Sequence, residues 1–173
     1  MQRFGGCQHL VDMAGDLDVA PLFTQHAILV DQEGAAHDAH VFLAVVLLQL
    51  VHAEQIAQLG EIPGVKYLKD TSGDAVTMAD LLANRSDKIK AFNGWDTLTF
   101  FGLASGAEAS VWGTATVIPE LAVALYNALA VDNDLAKGRE LWKKIWPICD
   151  FLESVNYYAG IKAGCELIGA SVG

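Results

Sequence analysis

The sequence predicts an α/β protein built of parallel βα units, on three observations. Strand-like and helix-like runs alternate three times between residues 64 and 130. Each strand-like run closes on a Gly-containing turn, and helix-start residues follow. The 173 residues are 53% hydrophobic and 18% charged, which suits about one domain with a buried core.

The elements follow in order. Gly64 to Lys69 reads as a strand, closed by Asp70-Thr71-Ser72-Gly73. Asp74 is a helix N-cap, and Val76, Ala79 and Leu82 give the next run helical spacing through Asn84. Lys88 to Phe92 is a second strand, ended by Asn93-Gly94. A helix starts at Asp96 or Thr97, runs through Leu103 and stops at Gly106. Ala109 to Trp112 is a third short strand, and Pro119 opens a helix over Glu120 to Ala130. Asp134 to Leu152 and Tyr157 to Leu167 are two further helices. In βα units the chemistry sits just after the carboxyl ends of the strands.

The first 51 residues read differently. Residues 1–65 hold one basic residue, Arg3, against eight acidic ones. All five histidines lie at or before His52, and all four tryptophans at or after Trp95. Ala39 to Leu59 has the length of a helix, although Val41 to Val46 is rich in strand formers; Ala27 to Val30 is a second plausible strand. Residues 1–51 are therefore expected to form a separate segment that adds little to the fold of residues 52–173.

Composition excludes several functions. The net charge of -10 argues against nucleic acid, whose phosphates require a basic face. The longest apolar run, Val41 to Leu48, is far below the roughly 18–20 residues of a membrane-spanning helix. Met1 to Cys7 lacks the basic-then-apolar order of a signal peptide. Cys7, Cys149 and Cys165 form no CxxC pair, which argues against a zinc ribbon or disulfide scaffold and fits a cytoplasmic protein. His37-Asp38-Ala39-His40 contains metal-ligand types, but nothing nearby completes a site, and no metal is expected. Trp142, Ile145 and Trp146 share a helix face, which is core or subunit interface more often than a cofactor site. Asp132, Asp134 and Glu140 read as solvated surface.

Lys66 and Lys69 are three residues apart on one strand, so they point to opposite faces. Lys69 ends the strand and shares its face with Val65 and Tyr67. An ammonium held against apolar neighbours is penalised for its charge, and a neutral amine can attack a carbonyl to form a Schiff base. On spacing alone, a solvated lysine is the commoner reading.

Beyond spacing, Val65-Lys66-Tyr67-Leu68-Lys69-Asp70-Thr71-Ser72-Gly73-Asp74 resembles the Schiff-base lysine segment of the dihydrodipicolinate synthase / N-acetylneuraminate lyase family of class I, pyruvate-type aldolases. Phe92-Asn93-Gly94-Trp95-Asp96 resembles the end of that family's seventh strand. Gly106 to Pro119 resembles its eighth strand and the start of the following helix, and His52 to Leu59 the helix before the lysine strand. The resemblance covers about residues 52–173. It implies strands six to eight of a (β/α)8 barrel plus C-terminal helices, with residues 1–51 unrelated to the family. It implies Lys69 as the nucleophile toward pyruvate or another 2-keto acid, with an aldehyde as co-substrate. It implies Val111, through its backbone carbonyl, and Gly94 as substrate-binding positions. Asn93 and Trp95 are neighbours with no assigned role, and no metal or organic cofactor is implied. The family's Gly-Thr-Thr-Gly-Glu-like loop and Tyr-Asn-x-Pro segment have no counterpart in residues 1–60, so the chain reads as truncated: a lyase fragment, or a non-catalytic remnant that keeps the lysine. Family habit and the unpaired strand edge of a partial barrel point to a homo-oligomer.

Overall fold

A computed structural model describes residues 52–171 and the backbone of Ala27–Leu29 and Val41–Val45. The chain divides into two compact units, Met1–Phe92 and Asn93–Gly173.

The first unit is organised by a sheet of four strands in the order β1-β2-β3-β4. These are β1 (Ala27–Leu29), β2 (Val41–Val45), β3 (Val65–Asp70) and β4 (Lys90–Asn93). β2 runs parallel to β3, with Leu43 opposite Leu68 and Ala44 opposite Lys69; β1 runs antiparallel to β2. One expectation is corrected here. Ala39 to Leu59 is not one helix: Val41–Val45 is a strand and Ala53–Leu59 is helix α1. Of residues 1–51 the structure describes β1 and β2 alone, and β2 pairs with the lysine strand, which the expectation of a separate segment did not include. The β-branched and aromatic residues of Val41–Val45 favour a pleated strand, and a parallel partner overrides the apolar run's helical length.

Helices α1 and α2 (Ala75–Asn84) supply the apolar cover of this unit. Ile56, Leu59, Ile62, Val65, Leu68, Met78, Leu81, Ile89 and Ala91 are all buried. Asp74 caps α2 as expected, accepting from the Val76 and Thr77 N–H groups at 3.0 and 3.1 Å. Gly60 ends α1 where the chain passes the Lys88 carbonyl; a Cβ there would lie 2.1 Å from that oxygen. Arg85 joins the two helices, meeting Glu54 at 2.5 Å and Asp80 at 3.0 Å.

The second unit is mainly helical. A 3₁₀ turn, Asp96–Leu98, leads into α3 (Thr99–Ala104); a second, Gly113–Thr116, precedes α4 (Pro119–Tyr126). Pro119 occupies the first turn of α4 as its sequence position predicts, and a π-helical turn, Asn127–Val131, continues it. α5 (Leu135–Ser154) and α6 (Tyr157–Leu167) are capped by the side chains of Asp134 and Asn156. Asp134 is thus a cap as well as a surface acid. Leu103, Leu125, Ala128, Leu129, Leu141, Ile145 and Cys149 form the core. Trp142 packs on it, stacked on Phe100 with ring centroids 5.9 Å apart, whereas Trp146 is exposed. The Trp142/Trp146 pair is therefore split between core and surface.

The third expected strand is also corrected. Ala109–Trp112 makes only one parallel bridge, Ser110 to Asn93. Asn93 is the last residue of β4, and among the described residues Ala109–Trp112 has no further strand partner.

Cys149 lies at the base of this unit, fully buried and reduced. Burial pushes its thiol up to about 12, although a Thr114 hydrogen bond acts in the opposite direction. Alkylation of the native chain by iodoacetamide at pH 8 should leave Cys149 unmodified, and urea should expose it to rapid modification. Native labelling of Cys149 would show that α5 does not pack as described.

Candidate active site

In the first unit the candidate residue is Lys69. Along β3 Lys66 is exposed and Lys69 half-buried, while Leu68 and Asp70, on the face of Lys66, are buried. Tyr67, on the face of Lys69, lies against Phe92 with ring centroids 5.3 Å apart. Among the described residues Lys69 makes no ion pair.

The turn after Lys69 is braced from within. Asp70 Oδ1 accepts the Ser72 N–H at 2.8 Å, and Ser72 Oγ accepts the Asp74 N–H at 3.0 Å. Asp70 sits on the opposite face of β3 and is 4% exposed. Burial raises its carboxyl above the ordinary 3.8, opposed by the hydrogen bonds from Ser72, while the Asp74 charge adds to the rise. Asp74, at the helix start, is held below its ordinary value by hydrogen bonds from Thr77 and Val76. The Thr71 hydroxyl is buried without a hydrogen-bond partner among the described residues.

A pH effect follows from Asp70. A carboxyl raised on folding binds its proton more tightly in the folded chain, so its contribution to stability is present at low pH and lost as the pH rises through the raised value. Asp70→Asn keeps an oxygen for the Ser72 N–H but removes the buried charge. Urea midpoints from far-UV circular dichroism should show the variant more stable than the parent at pH 7, with the gain shrinking toward pH 3.8. A gain that is equal at both pH values would show that burial of the charge is not its cause.

In the second unit Gly94 and Val111 lie on two backbone segments joined by Asn93. Asn93 is 2% exposed. Its Nδ2 donates to the Trp95 carbonyl at 2.7 Å and to the hydroxyls of Thr99 and Ser110 at 3.2 Å each. Its backbone carbonyl accepts from the Val111 N–H at 2.8 Å and from Ser110 Oγ at 3.1 Å. Asn93 is thus a fastening between the segments. Gly94 is buried; Trp95 and Val111 are each 39% exposed. Among the described residues the Val111 carbonyl accepts no hydrogen bond.

The sequence reading missed a second fastening. Asp96, 4% exposed, accepts from the Thr114 N–H at 2.9 Å, from the Thr114 hydroxyl and from the Tyr157 hydroxyl at 2.7 Å. The Gly113 N–H donates to the same Tyr157 oxygen at 2.9 Å. Glu153 accepts from the Thr97 N–H and hydroxyl at 3.0 and 2.9 Å. An aspartate two residues past a glycine was a visible clue to Asp96. Nothing in local spacing marks Tyr157, 61 residues away.

His37, Asp38 and His40 lie outside the described residues; among those described, no group of three His, Cys, Asp or Glu side chains is placed to hold a metal. No described helix is long and apolar enough to cross a membrane.

Comparison with known proteins gives a consistent result. Residues 48–173 match the model of the dihydrodipicolinate synthetase family. N-acetylneuraminate lyase 2 of Escherichia coli O6:H1 is 30% identical over 109 residues, covering 63% of this chain and 35% of the relative. N-acetylneuraminate lyase of Salmonella paratyphi B is 29% identical, covering 63% and 36%. Among solved structures, dihydrodipicolinate synthase of Bacteroides thetaiotaomicron is similar with a TM-score of 0.62 at 27% identity, covering 75% of this chain and 47% of that one. The synthase of Aquifex aeolicus, at 18% identity and a TM-score of 0.62, supports the fold alone. The chain spans about a third of the length of the curated relatives it matches.

Proposed function

Because the chain belongs to the dihydrodipicolinate synthetase family, we propose that it is a pyruvate-type Schiff-base lyase or aldolase in which Lys69 is the nucleophile. The observation that carries this reading is Lys69 itself. It is a half-buried amine near the carboxyl end of β3, with an aromatic neighbour on its face and no ion pair among the described residues. On this reading β3, β4 and the Ser110 bridge correspond to strands six to eight of a (β/α)8 barrel.

The chemistry needs a neutral amine. The Lys69 nitrogen adds to C2 of pyruvate or a related 2-keto acid, and the carbinolamine loses water to give an iminium ion. The iminium takes up the electron pair released when C3 loses a proton, giving an enamine. The enamine adds through C3 to an aldehyde, and water then releases the product; cleavage of a 2-keto-4-hydroxy acid runs the same steps in reverse. The Val111 carbonyl, with no partner among the described residues, and the backbone at Gly94 are assigned to the bound keto acid. The reaction as written uses no metal or organic cofactor. Assembly into homo-oligomers in the cytoplasm, with no nucleic acid or membrane partner, belongs to the same reading.

A second reading, a non-catalytic remnant, is favoured by one sequence fact. Neither the Gly-Thr-Thr-Gly-Glu-like loop nor the Tyr-Asn-x-Pro segment occurs in residues 1–60. Borohydride reduction in the presence of pyruvate tests the shared step. An adduct that forms only with both reagents supports imine chemistry at Lys69; its absence contradicts the Schiff-base reading and leaves the remnant. Release of pyruvate from 2-keto-4-hydroxy acids over many turnovers then separates enzyme from remnant.

A further inference from the structure

The second unit holds one polar device that the proposed chemistry does not use. The Tyr157 hydroxyl stands between two segments that would meet the keto acid. It donates to Asp96, two residues past Gly94, and accepts from the N–H of Gly113, two residues past Val111. The geometry is specific to a glycine: a Cβ at Gly113 would lie 2.3 Å from the phenolic oxygen. The first residue of α6 is itself held in place, since Asn156 Oδ1 caps the helix by accepting the Ala159 N–H at 3.1 Å. Glu153 grips the adjacent Thr97 from α5. Burial raises the Tyr157 phenol above its ordinary value, with the Asp96 hydrogen bond and charge adding to the rise. The hydroxyl therefore keeps its proton, and keeps donating, at any ordinary working pH.

We infer that Tyr157 is a positioning residue whose hydroxyl, bridging Asp96 and Gly113, fixes the Gly94–Asp96 turn against the Val111–Gly113 segment and so sets the affinity for the keto acid. This rests on the reading of Gly94 and Val111 as keto-acid contacts. The phenol does not reach the reacting atoms on this account; it acts through backbone that does. Bound geometry tolerates little error, so a loosened segment weakens binding before it affects the amine's own chemistry.

The test uses the full chain and the variants Tyr157→Phe, Gly113→Ala and Tyr158→Phe. Tyr157→Phe keeps the ring and deletes the bridge. Gly113→Ala puts a methyl group where the phenolic oxygen lies. Tyr158 is 81% exposed, and its variant is the control. Two quantities are read: amide hydrogen exchange across residues 111–114, and the pyruvate concentration giving half-maximal borohydride trapping at Lys69. In both latch variants exchange should speed up about tenfold and the half-saturating pyruvate rise about fivefold, with maximal trapping unchanged. Exchange in Leu141–Leu152 and all properties of Tyr158→Phe should stay as in the parent. Faster exchange with unchanged half-saturation, or no change in either, overturns the positioning role while leaving Lys69 chemistry intact. A parent chain that traps no pyruvate overturns the keto-acid reading first, and the role of Tyr157 with it.

Discussion

Replacing Asp96 with alanine should lower the unfolding free energy of the second unit by about 3 kcal/mol. The change strips the acceptor from three donors at once: the Thr114 N–H, the Thr114 hydroxyl and the Tyr157 hydroxyl. Asp96 and Thr114 are buried, so water does not readily replace the lost partner. Each hydrogen bond to a charged acceptor is worth about 1.5–3 kcal/mol, and partial relaxation keeps the total below their sum. Asp96→Asn retains one acceptor oxygen and should lose about half as much. The readout is direct, because all four tryptophans lie between Trp95 and Trp146, within the second unit. Urea unfolding followed by tryptophan fluorescence therefore reports this unit. A loss below about 1 kcal/mol in Asp96→Ala would mean that the network is not a fastening.

Replacing Lys69 with arginine should abolish borohydride-trapped adduct formation with pyruvate. A guanidinium keeps its proton throughout the accessible range and offers no free electron pair to a carbonyl. The side chain is only half-buried, and arginine has a similar length. The chain should therefore remain folded, with a stability change of less than about 1 kcal/mol. Lys66→Arg alters an exposed side chain on the opposite face and should leave trapping at the parental level. Equal loss in both variants would show that neither strand parity nor position selects the nucleophile.

Local signals carried much of the fold. Asp74 and Asp134 mark helix starts that the structure reproduces, and Pro119 stands in a first helical turn. Gly106, with φ of +100°, stands where α3 has ended. The parity of Lys66 and Lys69 was equally legible, because one strand's alternation is set by its own backbone. What was not legible depends on distant partners. The strand formers of Val41–Val45 were visible, but not its pairing with β3, some twenty residues later. Ala109–Trp112 has strand composition, but β4 ends at Asn93 and leaves it a single bridge. Asn93 carried no assigned role in the sequence, and only in the fold does its side-chain amide close on Trp95, Thr99 and Ser110. Tyr157 opens an ordinary amphipathic helix, and only folding brings its hydroxyl to Asp96 and Gly113. Chemistry that lies on one strand can be read from sequence; positioning that joins separate elements cannot.

The proposed Schiff-base chemistry places the reactive amine on Lys69. Proteolysis and tandem mass spectrometry of the borohydride-reduced pyruvate adduct test it most directly. A single modified lysine, Lys69, is expected in the peptide that contains Val65 to Asp74. An adduct on Lys66, or spread over the exposed lysines of α5, would contradict it.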